Sequence, residues 1–218
     1  MDREFDAWAR AADGALGEDL LHLVVASAAA AANRPEAVRL AAERRLAEVG
    51  QAAPDQAAFV LRAREAMVKM AALMGTPRAI NALQALAAAV PAGGALERAL
   101  AAAPALRSDA DCSHARMRAR GLELFGAIYG PNAPRVEARL RALSPDLAEV
   151  VVVDSYGRLL GEARRLGARD TELCAVGCLV PLDVPAQLKS HCIGAARLGA
   201  TDAMVQAALR LARLVCRP

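Results

Sequence analysis

Aromatic side chains make up only 3% of this 218-residue chain, and the β-branched residues that fill strands are also scarce. A sheet-based core is therefore excluded. Lysine is nearly absent: Lys69 and Lys189 stand against 25 arginines. The net charge of +3 is too small to argue for nucleic acid or an anionic membrane as partner. No apolar run reaches the roughly 18–20 residues of a membrane span; the longest, residues 20–32, is interrupted by His22 and Ser27. A glycine-rich phosphate loop, a nucleophile elbow and a zinc-helix motif are all missing. Five cysteines, Cys112, Cys174, Cys178, Cys192 and Cys216, are an odd set at irregular spacing. That argues against a secreted disulfide framework and for a reducing compartment. The opening Met1-Asp2-Arg3-Glu4 has neither the basic-then-apolar order of a secretory signal nor the acid-poor character of a transit peptide.

What the chain does have is alanine, 55 residues of it, within a 56% hydrophobic composition. Alanine is the strongest helix former, so an all-α protein follows. Glycine and proline punctuate the sequence into helices near 4–13, 17–32, 35–49, 54–74, 77–90, 94–103, 109–129, 133–142, 145–165, 170–180, 184–198 and 202–215. Ser144-Pro145 is a cap followed by an N1 proline, Asp170 and Thr201 are further caps, and Gly75 and Gly199 suit helix ends. The stretch Pro91 to Asp109 reads as the junction between two halves. Met70–Pro77 resembles Gly194–Thr201, 124 positions on, which suggests a weak internal repeat. In that register Met67 stands opposite His191, so histidine chemistry would belong to the C-terminal half only.

The densest group of reactive side chains is Glu172, Cys174, Cys178, Asp183, His191 and Cys192. The segment reads as a helical hairpin turning at Pro181-Leu182-Asp183. Glu172 lies roughly 12 Å before the end of the first helix and His191 about 10 Å into the second. In an antiparallel pair they sit at one level, and a carboxylate beside an imidazole fixes its tautomer for acid–base work. The plainer alternative is a core histidine satisfied by a backbone carbonyl, with Glu172 placed for the helix dipole. Cys174 and Cys178 share a helix face, as buried small hydrophobes do. A zinc site of Cys174, Cys178, His191 and Cys192 lacks the usual knuckle spacing, and no metal is assigned. Redox work by Cys192 is a further alternative. His114, Arg116, Arg118 and Arg120 read as a solvated face. Glycine beside Tyr156 inside an apolar helix points to a close helix crossing, and Tyr156 is a buried hydroxyl near the hairpin. Phe5 and Trp8 look like an anchor for the first helix.

From residue 115 to 215 the order of short motifs resembles the carboxymuconolactone decarboxylase family, which includes the alkylhydroperoxidase D-like proteins. The residues carrying the likeness are Arg118-Ala119-Arg120-Gly121, Tyr129-Gly130, Pro145-Asp146-Leu147, Tyr156-Gly157, the run Leu166 to Leu173, Gln187 to His191, Gly194-Ala195 and Leu198-Gly199-Ala200. The N-terminal half resembles the family faintly, through Gly75 to Leu83. The resemblance implies an all-helical fold of two pseudo-repeats, a degenerate one over residues 1–105 and a decarboxylase-like one over 106–218. It also implies a homo-oligomer, trimer or hexamer. The family's peroxidase branch uses a glutamate, a Cys-x-x-Cys pair and a histidine; Glu172 and His191 match, while Val184 and Gln187 stand where the cysteines would be. The implied chemistry is decarboxylation of a small carboxylated lactone or enol-type acid. His191 is then the proton donor, Glu172 its orienting partner, and Gln187 and Tyr156 contact the substrate.

Two alternatives accompany that reading. One is a catalytically silent helical subunit of a larger assembly; the other is a thiol-dependent peroxidase-like protein using Cys178 and Cys192. In each case the expectation is a protein of the cytoplasm or mitochondrial matrix, with no cofactor, no nucleic-acid partner and no membrane span.

Overall fold

The computed structural model describes residues 2–50, 52–107 and 112–217. Among them every regular element is helical: α1 (Asp2–Ala12), α2 (Glu18–Ala31), α3 (Pro35–Glu48), α4 (Ala53–Met74), α5 (Thr76–Ala88), α6 (Ala95–Ala102), α7 (His114–Tyr129), a 3-10 turn (Gly130–Asn132), α8 (Ala133–Leu143), α9 (Pro145–Glu149), a π-helix (Val150–Leu160), α10 (Ala168–Leu179), α11 (Pro185–Arg197) and α12 (Asp202–Val215). No helix among the described residues is long and apolar enough to cross a membrane.

Helices α2 and α10 pack against each other at the centre, and α4 and α12 each cover both. Both central helices are buried nearly all round, α2 from Leu20 to Ala31 and α10 from Thr171 to Leu179. That is what an apolar helix without a polar face requires. Their small residues let the backbones close up: a Cβ on Gly177 would lie 3.0 Å from the Val24 carbonyl oxygen. Helix α3 lies on α2, and α11 lies on α10. Trp8 is fully buried, with Phe5 edge-on at 6.0 Å, so α1 is anchored as its aromatic pair suggested.

The hairpins α2–α3 and α10–α11 trace matching backbones 150 residues apart. Gly17 and Gly167 precede their first helices with φ −59°, ψ 156° and φ −65°, ψ 166°. Asn33 and Asp183 both turn through positive φ, 55° and 53°. Arg34 and Val184 follow at φ −111° and −118°, with ψ 74° in each, ahead of Pro35 and Pro185. The matching turns thus lie at 150 and not at the 124-residue register of Met70–Pro77 and Gly194–Thr201. In the structure Met70–Pro77 joins α4 to α5, while Gly194–Thr201 joins α11 to α12.

Several boundaries differ from expectation for physical reasons. Asp170 is not a cap: Gly167 takes that place, and Asp170 sits in the first turn of α10 bonded to Arg62 at 3.1 Å. Ser144 and Thr201 do cap, accepting from Leu147 N and Met204 N at 3.2 Å. The expected helix over 145–165 is short α9 running into the π-helix. Its wider turn closes with Gly161 N donating to Tyr156 O, five residues back, at 2.8 Å. The expected helix start at 109 and the end of the junction, Ser108-Asp109, fall outside the described residues. The described part of the junction contains α6, packed on α4 through buried Leu96 and Leu100.

Helix α7 and the π-helix cross at glycine. A Cβ on Gly121 would lie 1.9 Å from the Val152 carbonyl oxygen, and one on Gly157 would lie 2.1 Å from that of Met117. This is the close crossing that glycine beside Tyr156 implied. It fixes Tyr156 against the end of α7. At the start of α10, fully buried Lys69 donates to Leu166 O and Thr171 Oγ1, both at 2.7 Å. Burial pushes its amine down to about 8.

Candidate functional site

Antiparallel packing of α10 and α11 brings Glu172 and His191 together. Glu172 Oε2 accepts from the ring at Nδ1, 2.9 Å away, and both side chains are buried. With Nδ1 donating, the tautomer leaves Nε2 as the lone-pair nitrogen. Nε2 makes no hydrogen bond among the described residues, and the side chain is 4% exposed. Glu172 Oε1 is fully buried with no hydrogen-bond partner. An unpaired carboxylate oxygen there is costly and is open to a donor.

Glycine again permits the approach. A Cβ on Gly194 would lie 2.8 Å from Glu172 Oε2 and 2.7 Å from Ile128 Cγ2. Tyr156 donates to the Tyr129 hydroxyl at 3.2 Å, leaving the Tyr129 hydrogen free for another acceptor. Phe125 packs against both rings, 4.4 Å from Tyr129 and 5.1 Å from Tyr156. Burial raises both phenols above their ordinary value, and the Glu172 charge pushes the same way. They remain neutral donors through the physiological range.

Beside this cluster a groove of about 530 Å³ opens between the α7–α8 corner and α11. Tyr129 and Ile128 line it from the site, and Lys189, Ser190, Ile193 and Arg197 line it from α11. Thus Glu172, His191 and Tyr156 converge in the interior, and none of the three lines the groove; Tyr129 and Ile128 are the residues that link the cluster to it. Gln187 does not join them: it is exposed in the first turn of α11 and does not line the groove. Tyr129, the partner of Tyr156, is the residue that reading for single reactive groups passed over. Its only signal was its place just before Gly130.

The thiols lie elsewhere. Cys174 and Cys178 are sealed in the core, and burial pushes Cys174 up to about 12 and Cys178 higher still. Half-buried Cys192 is also raised by burial. A thiolate nucleophile is disfavoured at all three, and none of the described cysteines is in a disulfide. His114 bonds Glu149 at 2.8 Å on the surface, and Arg118 shares that glutamate. Arg120 donates to Gly157 O at 2.6 Å, so His114, Arg118 and Arg120 hold structure together and are more than a solvated face. Among the described residues no group of three or more His, Cys, Asp and Glu could hold a metal.

No family model matches the chain, and no solved structure matches it. Sequence relatives do. Peroxisomal protein 2 of Schizosaccharomyces pombe is 32% identical over 200 residues, covering 92% of this chain and 87% of the relative. The chain belongs to the peroxisomal protein 2 family. Peroxisomal protein 2 of Saccharomyces cerevisiae is 31% identical over 168 residues, 70% of this chain and 59% of that longer relative.

Membership corrects three expectations. Both relatives are named as peroxisomal proteins and neither as a decarboxylase or a peroxidase, so the lactone-decarboxylating lyase and the thiol peroxidase are set aside. For the second the physical reason is that Cys178 is sealed in the core and burial raises the Cys192 thiol. The cytoplasm or mitochondrial matrix is likewise displaced as the expected compartment.

Proposed function

We propose that this chain is a peroxisomal protein whose α10–α11 hairpin carries an imidazole–carboxylate site for proton exchange with a small-molecule ligand. The observation that carries the site is the 2.9 Å bond from His191 Nδ1 to Glu172 Oε2 inside a buried environment. Glu172 holds the ring, and Nε2 takes a proton from the ligand or returns one. Tyr129 supplies a neutral hydroxyl donor next to the groove. The names of both yeast relatives support the compartment.

The proposal extends to the scaffold. Two copies of one helical unit, divided near residues 105 and 106, pack in the alkylhydroperoxidase D-like manner. The 150-residue spacing of the matching turns supports this, as do the paired roles of α4 and α12 over α2 and α10. Self-association belongs to the same reading, supported by exposed Leu143 at the end of α8 and exposed Leu147 and Val150 around the join of α9 and the π-helix.

Two measurements test it. A fluorescent fusion of the full chain in yeast should coincide with a peroxisomal marker, and diffuse cytosolic signal would overturn the compartment. Nitrogen-15 spectra of the histidine rings, with His191 assigned by His191→Gln, should show the Nδ1–H tautomer. An Nε2–H tautomer would remove the base from the unpaired side of the ring and end the acid–base reading.

A further inference from the structure

The groove beside His191 carries a charge pattern that the acid–base pair does not explain. Arg135 and Arg139 project from α8, and Lys189 and Arg197 from α11, with Asn132 and Ser190 between them; among the described residues no carboxylate lines the groove. Arg135, Arg139 and Lys189 have no ion-pair or hydrogen-bond partner among the described residues. Among the described residues several other surface arginines are paired, Arg45 with Glu18 and Asp19, Arg62 with Asp19 and Asp170, Arg118 with Glu149; Arg10, Arg78, Arg213 and Arg217 are not, but they are scattered, whereas the groove gathers its cations on one pair of walls. Lysine sharpens the contrast. Of the two in the chain, Lys69 is sealed inside and Lys189 stands in this groove. The apolar floor of Ile128, Val136 and Ile193 gives a ligand body something to rest on. A volume of about 530 Å³ is in the size range of small-molecule sites.

We infer that this groove binds a small ligand bearing two or more oxyanionic charges, phosphate or carboxylate. The arginines take the oxyanions through paired N–H donors, and Lys189 adds a point charge. The bound body then lies against Tyr129, which links the groove to the buried cluster. This names the ligand class of the acid–base site and rests on that reading for the role of His191; anion binding rests on the groove alone.

The test is calorimetric titration of the full chain with inorganic pyrophosphate and with citrate, which separate a phosphate from a carboxylate preference. Saturable binding of either supports the inference. Arg135→Gln/Arg139→Gln should weaken it by about tenfold or more. Both side chains are exposed and unpaired, so folding is retained, as circular dichroism will check. Raising ionic strength from about 0.05 to about 0.5 M should also weaken it. Neither anion binding at millimolar concentration, or undiminished affinity in the double variant, overturns the inference. Binding to anionic vesicles without binding of either small anion overturns it too. Anion binding with an Nε2–H ring at His191 defeats the acid–base reading alone. The expected tautomer without anion binding defeats this inference alone.

Discussion

In the α2–α3 hairpin the imidazole sits on the first helix and is served by its own backbone, His22 Nδ1 lying 2.7 Å from Glu18 O. In the α10–α11 hairpin the first helix carries the acid, and the imidazole reaches it from the second helix. At the 150-residue spacing of the matching turns, His22 and Glu172 occupy the same position, while His191 is answered by buried Ala41. Phe5 stacks on His22 at 4.8 Å and Phe59 stands edge-on at 6.2 Å, closing the first site with rings. The second site adjoins an open groove. One backbone path therefore accepts a buried polar group at the same depth in two ways, served by the helix's own backbone in the first hairpin and by the neighbouring helix in the second; among the described residues Nε2 is left without a hydrogen bond in both, walled in by rings in the first.

The largest effect that would break this contrast lies in the brace present beside the second hairpin alone. Gly121→Ala would drive a methyl into the Val152 carbonyl, and a loss of about 3 kcal/mol or more is expected in chemical denaturation. A shift well below that would mean the crossing has room to relax.

Next comes a paired test of the two acids. Glu172→Ala strands a buried ring nitrogen and should cost about 2–3 kcal/mol at neutral pH. Glu48 is an exposed partner 3.6 Å from His22 Nε2, and Glu48→Ala should cost under about 0.5 kcal/mol. Equal losses would erase the difference between the hairpins.

Lys69, which ties α4 to the start of α10, gives a smaller, pH-dependent effect. Its amine lies at about 8 in the fold against 10.5 when free. Between those values the unfolded chain holds more protons, so this group's contribution to stability rises with pH. Lys69→Met should flatten the alkaline part of the stability curve, measured as the difference from the wild type. Smallest is His22, held below its ordinary 6.5 by burial. The unfolded chain takes its proton first as pH falls, so the contribution is present above about 6.5 and lost below it. His22→Gln should remove that part of the acid sensitivity in thermal melts, whereas an unchanged acid slope would show that His22 is not its source.

Much of the helical order was legible because alanine, glycine and proline act locally. Ser144-Pro145, Thr201, Gly75 and Gly199 mark ends through their own backbone preferences. The Glu172–His191 meeting was legible too, because a short turn between two helices fixes the level at which their side chains face. What was not legible depended on distant partners. Asp170 looked like a cap until Arg62 from α4 claimed it. The π-helix arises where α7 presses glycine to glycine, which no local propensity announces. Gln187 matched a pattern but faces solvent, and the cationic groove assembles from α8 and α11, some fifty residues apart in the chain. The true spacing of the matching hairpins was hidden because the turn geometry of Asn33 and Asp183 is shared while their sequence is not.

The contact between α7 and the π-helix has a consequence for how this family can vary. In a chain where a quarter of the residues are alanine, exchanging glycine for alanine is the gentlest change available, and drift among relatives ought to sample it freely. At Gly121 and Gly157 the added methyl meets a carbonyl oxygen of the facing main chain, which cannot be traded for something smaller by a second mutation. These two sites should therefore stand as fixed columns in an otherwise permissive alanine background, and a saturation library should return glycine at both.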